Sequence, residues 1–218
     1  MTGMQIALAL YERFTALDIV GPFQVLADVP DHDIVWVADR VGPVTDHTHR
    51  LPITATATFD EVTAPDIVIV PGGIDTAGHL PDHPIVGWLQ RVHPTTTWTT
   101  SVCPGSLLLA GAGLLDGTDA TSHWCSAAKL DELGAHYTEE RVVERGKIIT
   151  AAGVSAGIDM ALTLLDRLHG PAIAQTVQLA IEYDPQPPFD AGSPAKAPAG
   201  VVDLVRAISA EREAATLS

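Results

Sequence analysis

The strongest constraint this chain places on its own fold is a set of short runs that contain nothing polar. Residues 6–10 (Ile-Ala-Leu-Ala-Leu), 34–37 (Ile-Val-Trp-Val) and 67–70 (Ile-Val-Ile-Val) lack the alternation of a strand with one wet face, and each is bounded by polar residues or by proline and glycine. Such a run reads as a strand buried on both faces, and strands of that kind belong to parallel sheets covered by helices. Between the runs, residues 16–26 and 84–91 carry apolar side chains at helical spacing. Strands alternating with helices predict a doubly wound α/β fold with a mostly parallel sheet and helices on both faces.

Later segments extend the pattern. Residues 136–143 and 148–150, separated by Glu144-Arg145-Gly146-Lys147, predict a hairpin that turns at the glycine. Residues 156–168 and 171–183 predict two helices, the first closed by His169-Gly170. Residues 184–194 are too rich in proline for a helix and predict a strap or arm, after which residues 201–215 return to helical periodicity. With no linker and no repeat in the sequence, one domain over residues 1–218 is expected, the strap and last helix starting near residue 184.

Charge and cysteine usage exclude several classes. Twelve basic against 27 acidic residues leave a formal net charge of -15, which repels phosphate backbones and anionic lipid, so neither nucleic acid nor a membrane is an expected partner. No apolar run approaches the roughly 20 residues that span a bilayer. Two cysteines make no disulfide framework, and the N-terminus lacks the basic region of a signal peptide; a cytoplasmic setting is expected.

One segment carries chemistry. Trp98-Thr99-Thr100-Ser101-Val102 is a β-branched run that stops at Cys103 and restarts, through Pro104-Gly105, as an apolar helix. Proline suits the first position of a helix and glycine a sharp turn, so Cys103 is expected between a strand end and a helix N-terminus. There the helix dipole favours a thiolate; the competing reading is an inert buried thiol. In open α/β sheets ligands bind beyond the carboxyl ends of the strands where the strand order reverses, and three segments should meet there: residues 11–21, Pro71-Gly72-Gly73, and the Cys103 turn. Gly72 and Gly73 are a strand-exit turn or, beside a cysteine elbow, a source of N–H donors for a developing anion.

These residues resemble the PfpI-like family of the class I glutamine amidotransferase-like superfamily, and within it the isonitrile hydratase subgroup. The likeness is carried by Leu17-Asp18-Ile19-Val20-Gly21-Pro22, Pro71-Gly72-Gly73, Ser101-Val102-Cys103, Ala120-Thr121-Ser122-His123-Trp124, Ala156-Gly157-Ile158-Asp159 and Pro187-Pro188-Phe189-Asp190-Ala191-Gly192-Ser193-Pro194. The resemblance implies a flavodoxin-like fold, Cys103 as nucleophile, Asp18 as its carboxyl partner and general acid/base, a Val154 N–H bonding the sulfur, and Pro104, Gly105 and His123 in support. It also implies a small-molecule substrate, no cofactor or metal, and a homodimer that buries the strap. The activity implied is hydration of isonitriles to N-substituted formamides through a thioimidate on Cys103. Many relatives carry glutamate at the Asp18 position or histidine after the cysteine, and the subgroup commonly carries threonine where Pro104 stands; this chain departs at each. Pro104 removes an N–H from the elbow, and if that N–H faces the sulfur, Pro104→Thr should lower the thiol pKa.

The remaining candidates read mainly as structure. His47, His49, His32 and His79 lack the cysteine or carboxylate company of a metal site. Cys125 reads as a small core residue, His123 as a brace at a strand end, and Asp159 as a helix cap or an orienter of a neighbour. Competing functions for the same cysteine are a glyoxalase-like or amidase-like hydrolase and a redox-sensing or chaperone-like dimer. A regulator with an appended DNA-binding helix-turn-helix is disfavoured, because about 50 residues follow Gly170 and none of them forms a basic region.

Overall fold

The wholly apolar runs lie side by side at the centre of one sheet. The computed structural model of the protein describes residues 3–74, 76, 80 and 82–216. Its strands are β1 (Met4–Ala9), β2 (His32–Ala38), β3 (Gly42–Thr45), β4 (Pro52–Ala55), β5 (Ala57–Thr58), β6 (Ile67–Val70), β7 (Trp98–Val102), β8 (Asp119–Ala120), β9 (His136–Tyr137), β10 (Val142–Arg145) and β11 (Ile148–Ala151). The helices are α1 (Ala16–Leu26), α2 (Pro84–Val92), α3 (Gly105–Gly111), α4 (Ala127–Glu132), α5 (Ala156–His169), α6 (Pro171–Ala180) and α7 (Ala199–Thr216), with a 3₁₀ turn at Trp124–Ser126.

Seven strands form the main sheet in the order β10-β11-β7-β6-β1-β2-β5, parallel throughout except at the β10 edge. The chain builds β2 and β5 on one side of β1 and then β6, β7 and β11 on the other. Strand order therefore reverses between β1 and β6, and the carboxyl ends of β1, β6 and β7 converge beside that point. Every side chain of β6 is fully buried, each burial of this kind being worth about 1.5 to 3 kcal/mol. Trp88 of α2 fills the core and donates its indole N–H to the Val62 carbonyl at 2.8 Å. The polar interior of β7 is paired in part: the Thr100 hydroxyl donates to the Val68 carbonyl at 3.1 Å, and Thr99 meets His93 at 2.8 Å.

Helix α1 packs on α5 through glycine. A Cβ on Gly157 would sit 3.2 Å from the Pro22 ring and 3.1 Å from Val102, so the bare backbone lets α5 lie against α1 and the end of β7 at once. Proline inside α1 removes the N–H that would bond the Asp18 carbonyl, yet the helix runs through it to Leu26.

Two expectations are corrected. The arm expected over residues 136–143 is two strands: β9 pairs parallel with β8, and only β10 forms the hairpin with β11. Glu139 and Glu140, both exposed, stand in the break between them. Helix α6 stops at Ala180, three residues short of the expected end, where Tyr183 N–H turns back to the Gln178 carbonyl at 3.0 Å. The β3–β4 hairpin and helix α4 were absent from the sequence reading, because both are short and half-exposed and carry no strong apolar period.

Candidate active site

Cys103 stands alone between β7 and the N-cap of α3, which is Pro104, one position earlier than the first helical residue expected of it. Its φ is +61°, a left-handed conformation that a side chain other than glycine rarely adopts and that persists only where the surroundings enforce it. The enforcement is visible. The Cys103 N–H is shared between the Ala151 and Ala152 carbonyls at 3.0 Å each, and its carbonyl accepts from the Ser122 hydroxyl at 3.1 Å and the Ser106 hydroxyl at 3.3 Å. Two glycines make room for the turn. A Cβ on Gly105 would lie 2.4 Å from the Val70 carbonyl oxygen, and one on Gly72 would lie 2.3 Å from Pro104 Cδ.

Asp18, the third residue of α1, is carried to Cys103 by the loop after β1. Thr15 N–H donates to the Gly72 carbonyl at 2.8 Å, locking that loop to the turn after β6. The Asp18 side chain is fully buried; Oδ2 accepts the Gly72 N–H at 2.9 Å, and Oδ1 is a buried atom without a hydrogen-bond partner among the described residues. Burial pushes its pKa up to about 8 against the opposing Gly72 N–H and the adjacent Cys103 thiol, so the group is a carboxylic acid at neutral pH. Burial also pushes the Cys103 thiol up, and the Asp18 charge pushes it further; the Val154 N–H on the sulfur pulls it down. The two groups titrate as a pair.

The Gly72 and Gly73 amides differ from what the sequence suggested. Gly72 N–H holds Asp18, and Gly73 N–H donates to the Thr76 hydroxyl at 2.9 Å, so both already have acceptors and neither is an open oxyanion donor. A glycine pair leaving a strand supplies amides; the carboxyl that claims the first comes from a distant segment, and the hydroxyl that claims the second from three residues further along the same turn.

Residues 4–167 match the model of the DJ-1/PfpI family. The chain belongs to the DJ-1/PfpI family. It is 42% identical over 204 residues to an isonitrile hydratase of Pseudomonas putida, an alignment covering 94% of this chain and 89% of that protein. A ThiJ/PfpI family protein from Pseudomonas syringae superposes with a TM-score of 0.92 at 38% identity, covering 100% of this chain and 90% of that one. The transcriptional regulator GbdR of Pseudomonas aeruginosa is 33% identical over 154 residues, 69% of this chain and 38% of the regulator.

In this DJ-1/PfpI chain the other candidates fall around the pair or away from it. His123 Nδ1 accepts the Cys125 N–H at 3.2 Å and caps the 3₁₀ turn, its ring lies against Gly153 just past the end of β11, and burial lowers its pKa. Cys125 is half-exposed instead of core, and its thiol is within electrostatic reach of Cys103. Asp159 makes no cap; it is ion-paired with Arg141. His47 and His49 belong to a turn wrapped around the Asp46 carboxylate, and His32 Nε2 meets His169 Nε2 at 3.0 Å. His79 lies outside the described residues. Among the described residues no three His, Cys, Asp or Glu side chains gather as a metal site, and no helix is long and apolar enough to cross a membrane. A cavity of about 520 Å³ beside the carboxyl ends of β1 and β2 is lined by Tyr11, Arg13, Arg40, Phe59 and His83, and includes neither Cys103 nor Asp18. Sequence reasoning missed Ser122 and Arg141, which hold the turns around Cys103 from far along the chain, with no local signal to mark them.

Proposed function

We propose that this protein hydrates isonitriles to N-substituted formamides, with Cys103 as nucleophile and Asp18 as general acid and base. The observation that carries the reading is a buried carboxyl that stays protonated near pH 7 beside a strained, buried cysteine. The terminal carbon of an isonitrile has carbene character, so bond formation to sulfur requires a proton on that same carbon. The Cys103 thiolate attacks, and the Asp18 carboxylic acid delivers its proton to the carbon, giving an N-substituted thioimidate and an Asp18 carboxylate. That carboxylate takes a proton from water as the water adds to the thioimidate carbon. Collapse of the adduct expels the Cys103 thiolate while the adduct's hydroxyl proton passes to nitrogen, and the N-formamide leaves with the pair restored. Water is the only co-reactant, so the balance needs no cofactor. The 42% identity to an isonitrile hydratase over nearly the whole chain supports the same chemistry.

Incubation with an aryl isonitrile, following the formamide by absorbance, tests the proposal. Turnover by the native protein and none by Cys103→Ala is expected; a Cys103→Ala protein that still makes formamide sinks the covalent route.

The strap supports a homodimer. Phe189 is 79% exposed, Leu179 80% and Leu204 60%, an apolar surface on α6, the strap and α7 that a second copy would bury. Light scattering at micromolar concentration should find a dimer, and a monomer there removes the claim.

A further inference from the structure

The amide that touches the Cys103 sulfur belongs to a residue that should not hold its conformation unaided. Val154 has φ +22°, and a β-branched residue at positive φ is an outlier that needs its surroundings to fix it. The residues around it converge on one side chain. Before the turn, Ala152 N–H donates to the Arg141 carbonyl at 2.9 Å, while the Ala152 carbonyl accepts from Cys103. After the turn, Arg141 Nη2 donates to the Ser155 hydroxyl at 3.1 Å and Arg141 Nε binds the Asp159 carboxylate in the first turn of α5. Tyr183, where α6 gives way to the strap, lies within electrostatic reach of both Arg141 and Asp159.

We propose that Arg141 is a positioning residue for the nucleophile: it brackets the turn over residues 152–155, fixes the Val154 amide against Cys103, and through Tyr183 ties that geometry to the start of the strap. This rests on Cys103 being the nucleophile of the proposed reaction. The planar guanidinium suits the task because it serves the Ser155 hydroxyl and the Asp159 carboxylate together, which a single ammonium group cannot do in that fixed geometry. Asp18 and Cys125 are the titratable groups that face the sulfur, and neither contacts Arg141. Loss of the guanidinium frees Val154 to relax, weakens the N–H bond to sulfur, and raises the thiol pKa.

The test is the rate of Cys103 alkylation by iodoacetamide against pH, with Cys103 identified by peptide mapping in the full chain. Arg141→Met should move the profile upward by about one pH unit, the size of one lost hydrogen bond to a charged group. Ser155→Ala should move it in the same direction by less. Arg145→Met, which removes an ion pair to Asp119 on the neighbouring strand, should leave it in place. Folded Arg141→Met and Ser155→Ala proteins with the native profile overturn the proposal, as does an equal shift in Arg145→Met. Where Arg141→Met does not fold, Ser155→Ala and Tyr183→Phe decide by the same criterion. The readout needs no isonitrile, so an unmoved profile leaves hydration standing, and absent formamide leaves the Arg141 assignment standing.

Discussion

Asp18 and Asp46 both show little surface to solvent, at 0% and 3% exposure, but Asp46 lies nearer the surface, and their protons behave in opposite ways. Phe14, buried between them, bridges to Asp46 on one side and Gly73 on the other. Asp46 Oδ1 accepts the Arg50 and Leu51 N–H groups at 3.0 and 2.9 Å, and Oδ2 accepts the Thr48 N–H and hydroxyl at 3.2 and 2.7 Å. The Leu51 N–H leads those donors in holding its carboxyl well below the usual range. Asp18 has one backbone donor, Gly72, besides the adjacent Cys103 thiol, so desolvation wins and the acid form persists. Burial sets the cost of a charge, and the number of donors decides whether the charge survives it. One carboxylate organises a turn; the other stays protonated beside a thiol.

The largest expected break in this comparison is catalytic. Asp18→Asn should lower kcat for isonitrile hydration by about 10²- to 10⁴-fold, the usual range for a lost general acid, while Asp46→Asn keeps kcat near native. Steady-state formamide formation checks it, and an Asp18→Asn enzyme with more than a tenth of native activity would falsify the role of that proton.

Stability against pH sharpens the comparison in sign. Asp18 has a raised folded pKa, so its contribution is fully present below the unfolded carboxylate pKa and is lost as pH rises toward about 8. Asp18→Asn should therefore raise the thermal midpoint near neutral pH, with the gain fading toward pH ~4. Asp46 has a lowered folded pKa, so its contribution is present above the unfolded pKa and is lost as pH falls through the folded one. Asp46→Asn should lower the midpoint near neutral pH and converge on the native protein in acid. Thermal unfolding across pH reads both, and parallel curves for the two variants contradict the assignment.

The smallest effect concerns Pro104. Its Cδ occupies the direction an N–H would take, and that atom faces Gly72 at close range. An N–H restored by Pro104→Thr is then aimed at Gly72 and not at the sulfur, contrary to the lowered thiol pKa that the sequence suggested. The alkylation profile of Cys103 should move by less than about half a pH unit, well under the worth of a hydrogen bond to a thiolate. A downward shift of a full unit restores the sequence-based expectation.

Much of the frame was legible from local pattern. The apolar runs over residues 6–10, 34–37 and 67–70 coincide with the cores of β1, β2 and β6, and helix α1 has the expected bounds. The β7 to α3 turn at Cys103 follows from the β-branched run, the proline and the glycine. Half of the chemistry was not legible in this way. Asp18 lies 85 positions before Cys103 and was paired with it through family likeness alone; the acceptor of the Gly72 amide and the whole Arg141 cluster carried no local mark.

What the sequence determined by itself was therefore periodicity and punctuation: a parallel sheet buried on both faces, the helices that cover it, and a cysteine at the break between a strand and a helix. These depend on neighbours within a few positions, where side-chain spacing and backbone preference act directly. Only the tertiary structure decided protonation and strain. Whether Asp18 keeps its proton depends on which amides reach it from the turn after β6, and whether Val154 can hold φ +22° depends on a guanidinium delivered from the strand edge. Desolvation and hydrogen bonding are properties of what surrounds a group in space, and a linear pattern records what surrounds it only along the chain.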